Sequence, residues 1–247
     1  MQNRYVGDAG DYAKYALLRR LCAGRPPLSL GVLWYLFPDE GHNGDGRHIA
    51  YLRQPDLADR DAELHATLAR LVESGQRSVA AVEAAGILPG ALFHASPVAI
   101  AGSPAQRAAH RANWFAEGLA SLAGTDILFL DPDNGVETRS LNRSDYRAGK
   151  FTFWSEIEAA WATGASLVLY NHLNRTAPAA VQTERLRIAF RERLKDIGLL
   201  APLLFRRGSC RHLWVIAQSR HAARLRDRIC TFLDQGWAAD TDCDTTT

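Results

Sequence analysis

Apolar and polar positions along this chain follow two rhythms. Short, dense apolar runs at 28–37, 91–98, 126–130, 166–170, 200–205 and 212–217 read as strands. The first is apolar on both faces, as a buried parallel strand is. Between the runs, residues 10–22, 57–72, 78–85, 104–122, 153–162, 179–195 and 220–233 carry helical spacing. Arg25-Pro26-Pro27 stops the first helix, Gly198 closes the sixth, and 38–47 is loop by composition. Strands separated by helical crossovers predict an α/β fold with a mostly parallel sheet. The last two strands are joined by a short loop, 206–211, which predicts an antiparallel hairpin at one edge. No repeat or low-complexity linker interrupts the pattern. One domain over 1–239 is expected, followed by a flexible polar tail at 240–247.

Composition narrows the class. Of 247 residues, 47% are hydrophobic and 23% charged, too apolar a balance for a disordered chain. The longest apolar runs fall far short of the roughly 20 residues that cross a bilayer, and Met1-Gln2-Asn3-Arg4 opens no signal-peptide core. A soluble, cytoplasmic protein with no membrane partner is the expectation. Cys22, Cys210, Cys230 and Cys243 form no C-x-x-C pair, which argues against a zinc site or a disulfide scaffold and for buried free thiols. Only Lys14, Lys150 and Lys195 among the 29 cationic residues are lysines. The basic surplus sits in 181–240, compatible either with a nucleic-acid-facing C-terminal part or with two solvated helices.

Ligands of open α/β sheets bind beyond the carboxyl ends of the strands, and three such ends are polar here. The 39–48 loop holds Gly41, Gly44 and Gly46, a spacing that suits close approach of a nucleotide-like ligand or an ordinary flexible loop. Asp131-Pro132-Asp133-Asn134-Gly135 ends the clearest strand. Turn chemistry explains Asn134 and Gly135, but an acidic Asp131 at the end of a buried strand needs a partner or a ligand. Asn171-His172 ends the next strand as a possible substrate contact or a plain surface pair. In the first helix, Asp11, Lys14, Leu18 and Leu21 share one stripe, so Lys14 lies in line with apolar residues and pairs with Asp11 at i−3 or passes the core edge.

In this order the segments resemble a known family. Gly7-Asp8-Ala9-Gly10-Asp11-Tyr12-Ala13-Lys14-Tyr15 is similar to the G-N-H-A-D-x-x-K-H segment of bacterial large-subunit ribosomal RNA adenine-N6 methyltransferases of the RlmJ type. Gly44-Asp45-Gly46-Arg47 resembles that family's G-x-G-R turn, and Asp131-Pro132-Asp133-Asn134 its D-P-P-Y. The resemblance implies a Rossmann-like, class I methyltransferase fold, with helices on both faces of the sheet, using S-adenosylmethionine. Lys14 and Tyr15 would lie beside the cofactor, Gly44 and Gly46 would cradle it, and Asp131 would take the catalytic position with Asn134 beside it. Asp133 and Asn134 replace the family's second proline and its base-stacking aromatic, worth roughly 1–3 kcal/mol per stacked base. The acceptor would be nucleic acid, RNA or DNA, or another polar group, held by Asp133, Asn171, His172, Arg206, Arg207 and Arg211. Two other classes remain open: a Mg²⁺-dependent phosphodiester or phosphate hydrolase using Asp131 and Asp133 with Asp8, Asp11 or Asp39, and a non-catalytic binding module.

Overall fold

The computed structural model describes residues 1–41, 46–98 and 101–244. In chain order its elements are α1 (Ala9–Cys22), β1 (Leu30–Trp34), α2 (Pro55–Ala58), α3 (Ala62–Glu73), α4 (Val79–Ala84), β2 (Leu92–His94) and α5 (Pro104–Ser121). There follow β3 (Ile127–Asp131), β4 (Gly135–Val136), β5 (Phe151–Thr152), α6 (Trp154–Ala162), β6 (Ser166–His172), α7 (Ala179–Arg193), β7 (Ile197–Phe205), β8 (Arg211–Gln218), α8 (Ala222–Asp234) and β9 (Thr241–Cys243). The main sheet runs β2-β1-β3-β6-β8-β7-β9, and β4 pairs with β5 separately. Pairings from β2 to β6 are parallel, whereas β8 is antiparallel to both β6 and β7, and β9 is antiparallel to β7. The fold is thus Rossmann-like α/β, mostly parallel, with an antiparallel portion at one side.

The period of two along each strand divides the core. Val32, Trp34, Ile127, Phe129, Val168, Leu213 and Val215 pack with α1, α3, α4 and α8. Their neighbours Leu33, Tyr35, Leu128, Leu130, Leu167, Leu169, Trp214 and Ile216 face α5, α6 and α7. Strands β1 and β3 are buried throughout, and β6, β7 and β8 over most of their length, which is why these sequences read as dense apolar runs. The α7 and α8 helices lie on opposite faces, so the arginine surplus of 181–240 does not form one surface.

Several boundaries differ from expectation. The 28–37 and 91–98 runs pair only over β1 and β2. The α7 helix ends at Arg193 and the chain turns at Asp196 (φ 56°). Gly198 therefore belongs to β7, where the Ser219 backbone leaves no room for a Cβ, instead of closing the helix. Beyond Asp240 the chain forms β9, contrary to the expected free tail, because Asp240 binds Arg60 and Arg207 and delivers 241–243 to the edge of β7. The four cysteines are free, but Cys230 is exposed and the others are half-buried. Among the described residues no helix is long and apolar enough to cross a membrane.

Candidate functional site

Strand β1 pairs with β2 on one side and β3 on the other. The connections leave β1 in opposite directions, so a crevice opens at the carboxyl ends of β1 and β3, the topological switch point where ligands of this architecture bind. A cavity of about 350 Å³ lies there. Its walls include Asp8, Gly10, Asp11 and Lys14 of the first helix and its cap, then Gly46 and His48, then Asp131, Pro132, Asp133 and Asn134. Tyr170, His172, Arg175, Gly208, Ser209 and Arg211 complete it. A larger cavity, about 470 Å³, sits at the opposite end of α1, lined by Pro27, Leu28, Leu88 and Trp237. It lies at the amino ends of the strands and has none of the motif carboxylates.

The α1 helix starts where the Asp8 side chain accepts the Asp11 N–H. The helix is buried around nearly its whole circumference, so its polar side chains must be paired internally. Lys14 Nζ lies 2.7 Å from Asp11 Oδ1 and 2.9 Å from Asp131 Oδ2, with all three side chains under 5% exposed. The ammonium also sits near the rings of Tyr15, Trp34 and Phe129. Burial works against the Lys14 charge, but Asp11 and Asp131 outweigh it and hold the pKa well above the usual lysine value. Desolvation dominates at Asp11, whose carboxyl is pushed up to about 6 despite Lys14.

That shift has a sign that can be measured. A carboxyl raised from 3.8 to about 6 makes the folded state bind more protons than the unfolded state in that window. Its stabilising contribution is full below about pH 4 and is lost as pH rises through about 6. Urea unfolding of wild type and Asp11→Asn should show the wild-type advantage shrinking by on the order of 2–3 kcal/mol from pH 4 to pH 7. A difference that stays constant across that range would mean Asp11 titrates normally.

Asp133 is held differently. The Met1 amino group lies 2.9 Å from Asp133 Oδ1 and donates to the Tyr35 and Asp131 carbonyls, while Gln2 Nε2 donates to Asp133 Oδ2. Lys150 joins through Glu40. Gly135 (φ +104°) turns the chain against Asn171, whose side-chain oxygen would overlap any Cβ there. That oxygen accepts the Val136 N–H.

The structure therefore sorts the sequence candidates. Lys14, Gly46, Asp131, Asp133, Asn134, His172 and Arg211 line one cavity. Tyr15 is fully buried and does not line it, although its hydroxyl donates to Asp11. Asn171 supports the 135–136 turn from outside the cavity. Arg206 and Arg207 do not line it either; they pair with Asp242 and Asp240. Gly44 lies outside the described residues. Sequence reading missed His48, Tyr170, Arg175 and Ser209. Tyr170 and Ser209 were legible only as strand and loop positions, His48 only as the last residue of the 39–48 loop, and Arg175 had no local signal. Among the described residues, no three His, Cys, Asp or Glu side chains converge as a metal would require.

A scan against protein-family models and searches of curated proteins and of solved structures found no match for this chain. Its class rests on fold and site alone: a Rossmann-like α/β protein with a charged cavity at the switch point of its sheet.

Proposed function

We propose that this protein is a methyltransferase that uses S-adenosylmethionine and acts on nucleic acid or another polar acceptor. The observation that carries the reading is the Lys14 bridge. It joins the N-terminal motif, through Asp11, to Asp131 of the D-P-D-N motif at the switch point. These are two of the segments that resemble ribosomal RNA adenine-N6 methyltransferases. The antiparallel β7–β8 hairpin beside a parallel sheet fits the same reading.

The residues present suit the cofactor. The cavity falls within the roughly 300–1,000 Å³ of small-molecule sites. Its wall carries Asp131 and Asp133, each matched by a cation, beside Gly46, whose packing on the Arg4 carbonyl leaves no room for a Cβ. Lys14 and Gly46 would hold the cofactor, which when bound supplies an electrophilic methyl group. Lys14 takes Oδ2 of Asp131, leaving Oδ1 to accept a hydrogen bond from the acceptor and orient it. Asn134, half-buried in the wall, offers a second polar contact. Tyr5 and Tyr170 also line the cavity.

Calorimetry with S-adenosylhomocysteine and with Mg²⁺ separately tests the reading. Saturable binding of the nucleoside without metal is expected. No binding up to millimolar concentration, weaker than about −4 kcal/mol, removes the methyltransferase reading. Binding of Mg²⁺ alone would favour the hydrolase.

A further inference from the structure

The cavity carries charges of both signs. Asp131 and Asp133 stand at the end of β3, each already matched by a cation. Across from them, the loop after β7 and the start of β8 bring Ser209 and Arg211, and the end of β6 and the segment after it bring His172 and Arg175. Arg211 is 5% exposed, which for a guanidinium demands a full set of partners. It does not have one. Its Nη2 donates to Ser209 Oγ, its Nη1 stands 3.7 Å from Asp8 Oδ1, beyond hydrogen-bond length, and its Nε has no partner.

The local packing holds this group in place. A Cβ on Gly10 would fall 1.1 Å from Arg211 Nη1, so the guanidinium occupies the space a side chain would take on the first turn of α1. In that turn the Ala9 N–H reaches the His48 carbonyl, and the Asp11 and Tyr12 N–H groups reach Asp8. Among the described residues the Gly10 N–H is left open, at the positive end of a helix of 14 residues. Arg175, exposed at the mouth, has no ion pair among the described residues.

We propose that Arg211, with the Gly10 N–H behind it and Arg175 at the entrance, is a subsite for a phosphate group of the methyl acceptor, so that the acceptor class is nucleotides. A planar guanidinium that lines the cavity and lacks a full set of protein partners suits charge-assisted contact with a phosphate. The opposite wall then receives the base, with Asp131 Oδ1 facing its N–H groups. This assignment of the acceptor rests on the methyl-transfer reading, while the anion subsite itself does not.

The experiment compares nucleosides with their 5′-monophosphates by calorimetry, for all four ribonucleosides. It uses wild type, Arg211→Met, Arg175→Ala and Gly10→Ala, with S-adenosylhomocysteine titrated into each. In wild type at least one monophosphate should bind about tenfold or more tighter than its nucleoside. Arg211→Met and Gly10→Ala should abolish that preference, and Arg175→Ala should reduce it, all without altering S-adenosylhomocysteine affinity by more than about twofold. Arg175 is exposed, so its variant keeps the test decisive even if the buried changes fail to fold. Absence of any monophosphate preference in wild type overturns the proposal, as does a preference that survives both Arg211→Met and Arg175→Ala. If Arg211→Met instead weakens S-adenosylhomocysteine in parallel, the anion is the cofactor's own carboxylate and the phosphate assignment falls. If monophosphates are preferred but S-adenosylhomocysteine does not bind wild type, the subsite stands and the methyltransferase reading fails.

Discussion

Asp131→Asn should lower methyl transfer by roughly 10²–10⁴-fold while leaving cofactor binding and thermal stability nearly unchanged. Pro132 confines the Asp131 backbone to extended geometry, and the end of β3 pairs in register with Trp34 of β1. The side chain is therefore fixed in direction. Asparagine keeps its size and retains an oxygen for Lys14, so the bridge can persist. What disappears is the negative charge facing the acceptor, which matters most as positive charge builds on that group. The measurement is transfer of a labelled methyl group at saturating cofactor, alongside melting curves for both proteins. Full activity in the variant would remove Asp131 from the mechanism and leave it a partner of Lys14 only.

Lys14→Met should have the largest effect on the fold itself, a loss of about 3–5 kcal/mol at neutral pH. The substitution conserves length and apolar volume but leaves Asp11 and Asp131 facing each other without their shared cation. Both carboxylates are buried, Asp11 at 3% and Asp131 at 2% exposure. Lowering the pH toward 5 should recover part of the loss, since neutral carboxyls tolerate burial. Denaturant unfolding at pH 5 and pH 7 reads both effects. A loss below about 1 kcal/mol at pH 7 would place the bridge among ion pairs whose attraction merely balances their desolvation.

What the sequence reveals follows the range of the physical signal. Strands β3 and β6 were legible because burial on both faces requires uninterrupted apolar runs, and turn residues end each of them. The hairpin was legible from its short connection. The pairing of Lys14 with Asp11 follows from helical spacing, but its pairing with Asp131 crosses most of the amino-terminal half, and no local pattern encodes it. Gly198 misled for a related reason: a glycine after a helix ordinarily closes it, whereas here the close approach of Ser219 requires it. Strand β9 was invisible because it is only three residues long and two of them are polar, and its place depends on Asp240 meeting Arg60 and Arg207. Arg211 was placed on a nucleic-acid-facing loop from charge alone. Its burial over Gly10 could not be read without knowing that the first helix and the last hairpin meet.

That meeting also sets an order of assembly. A nascent chain synthesised through β6 holds α1, the switch point and both acidic motifs, yet one wall of the cavity is still missing. Arg211 arrives only with β8, and α8, which packs beside α1, arrives later still. Contacts between such distant segments close slowly. Ligand can therefore add its binding energy to the folded state only after the carboxyl-terminal hairpin has docked. Partly made or truncated chains would carry the motifs without the complete site.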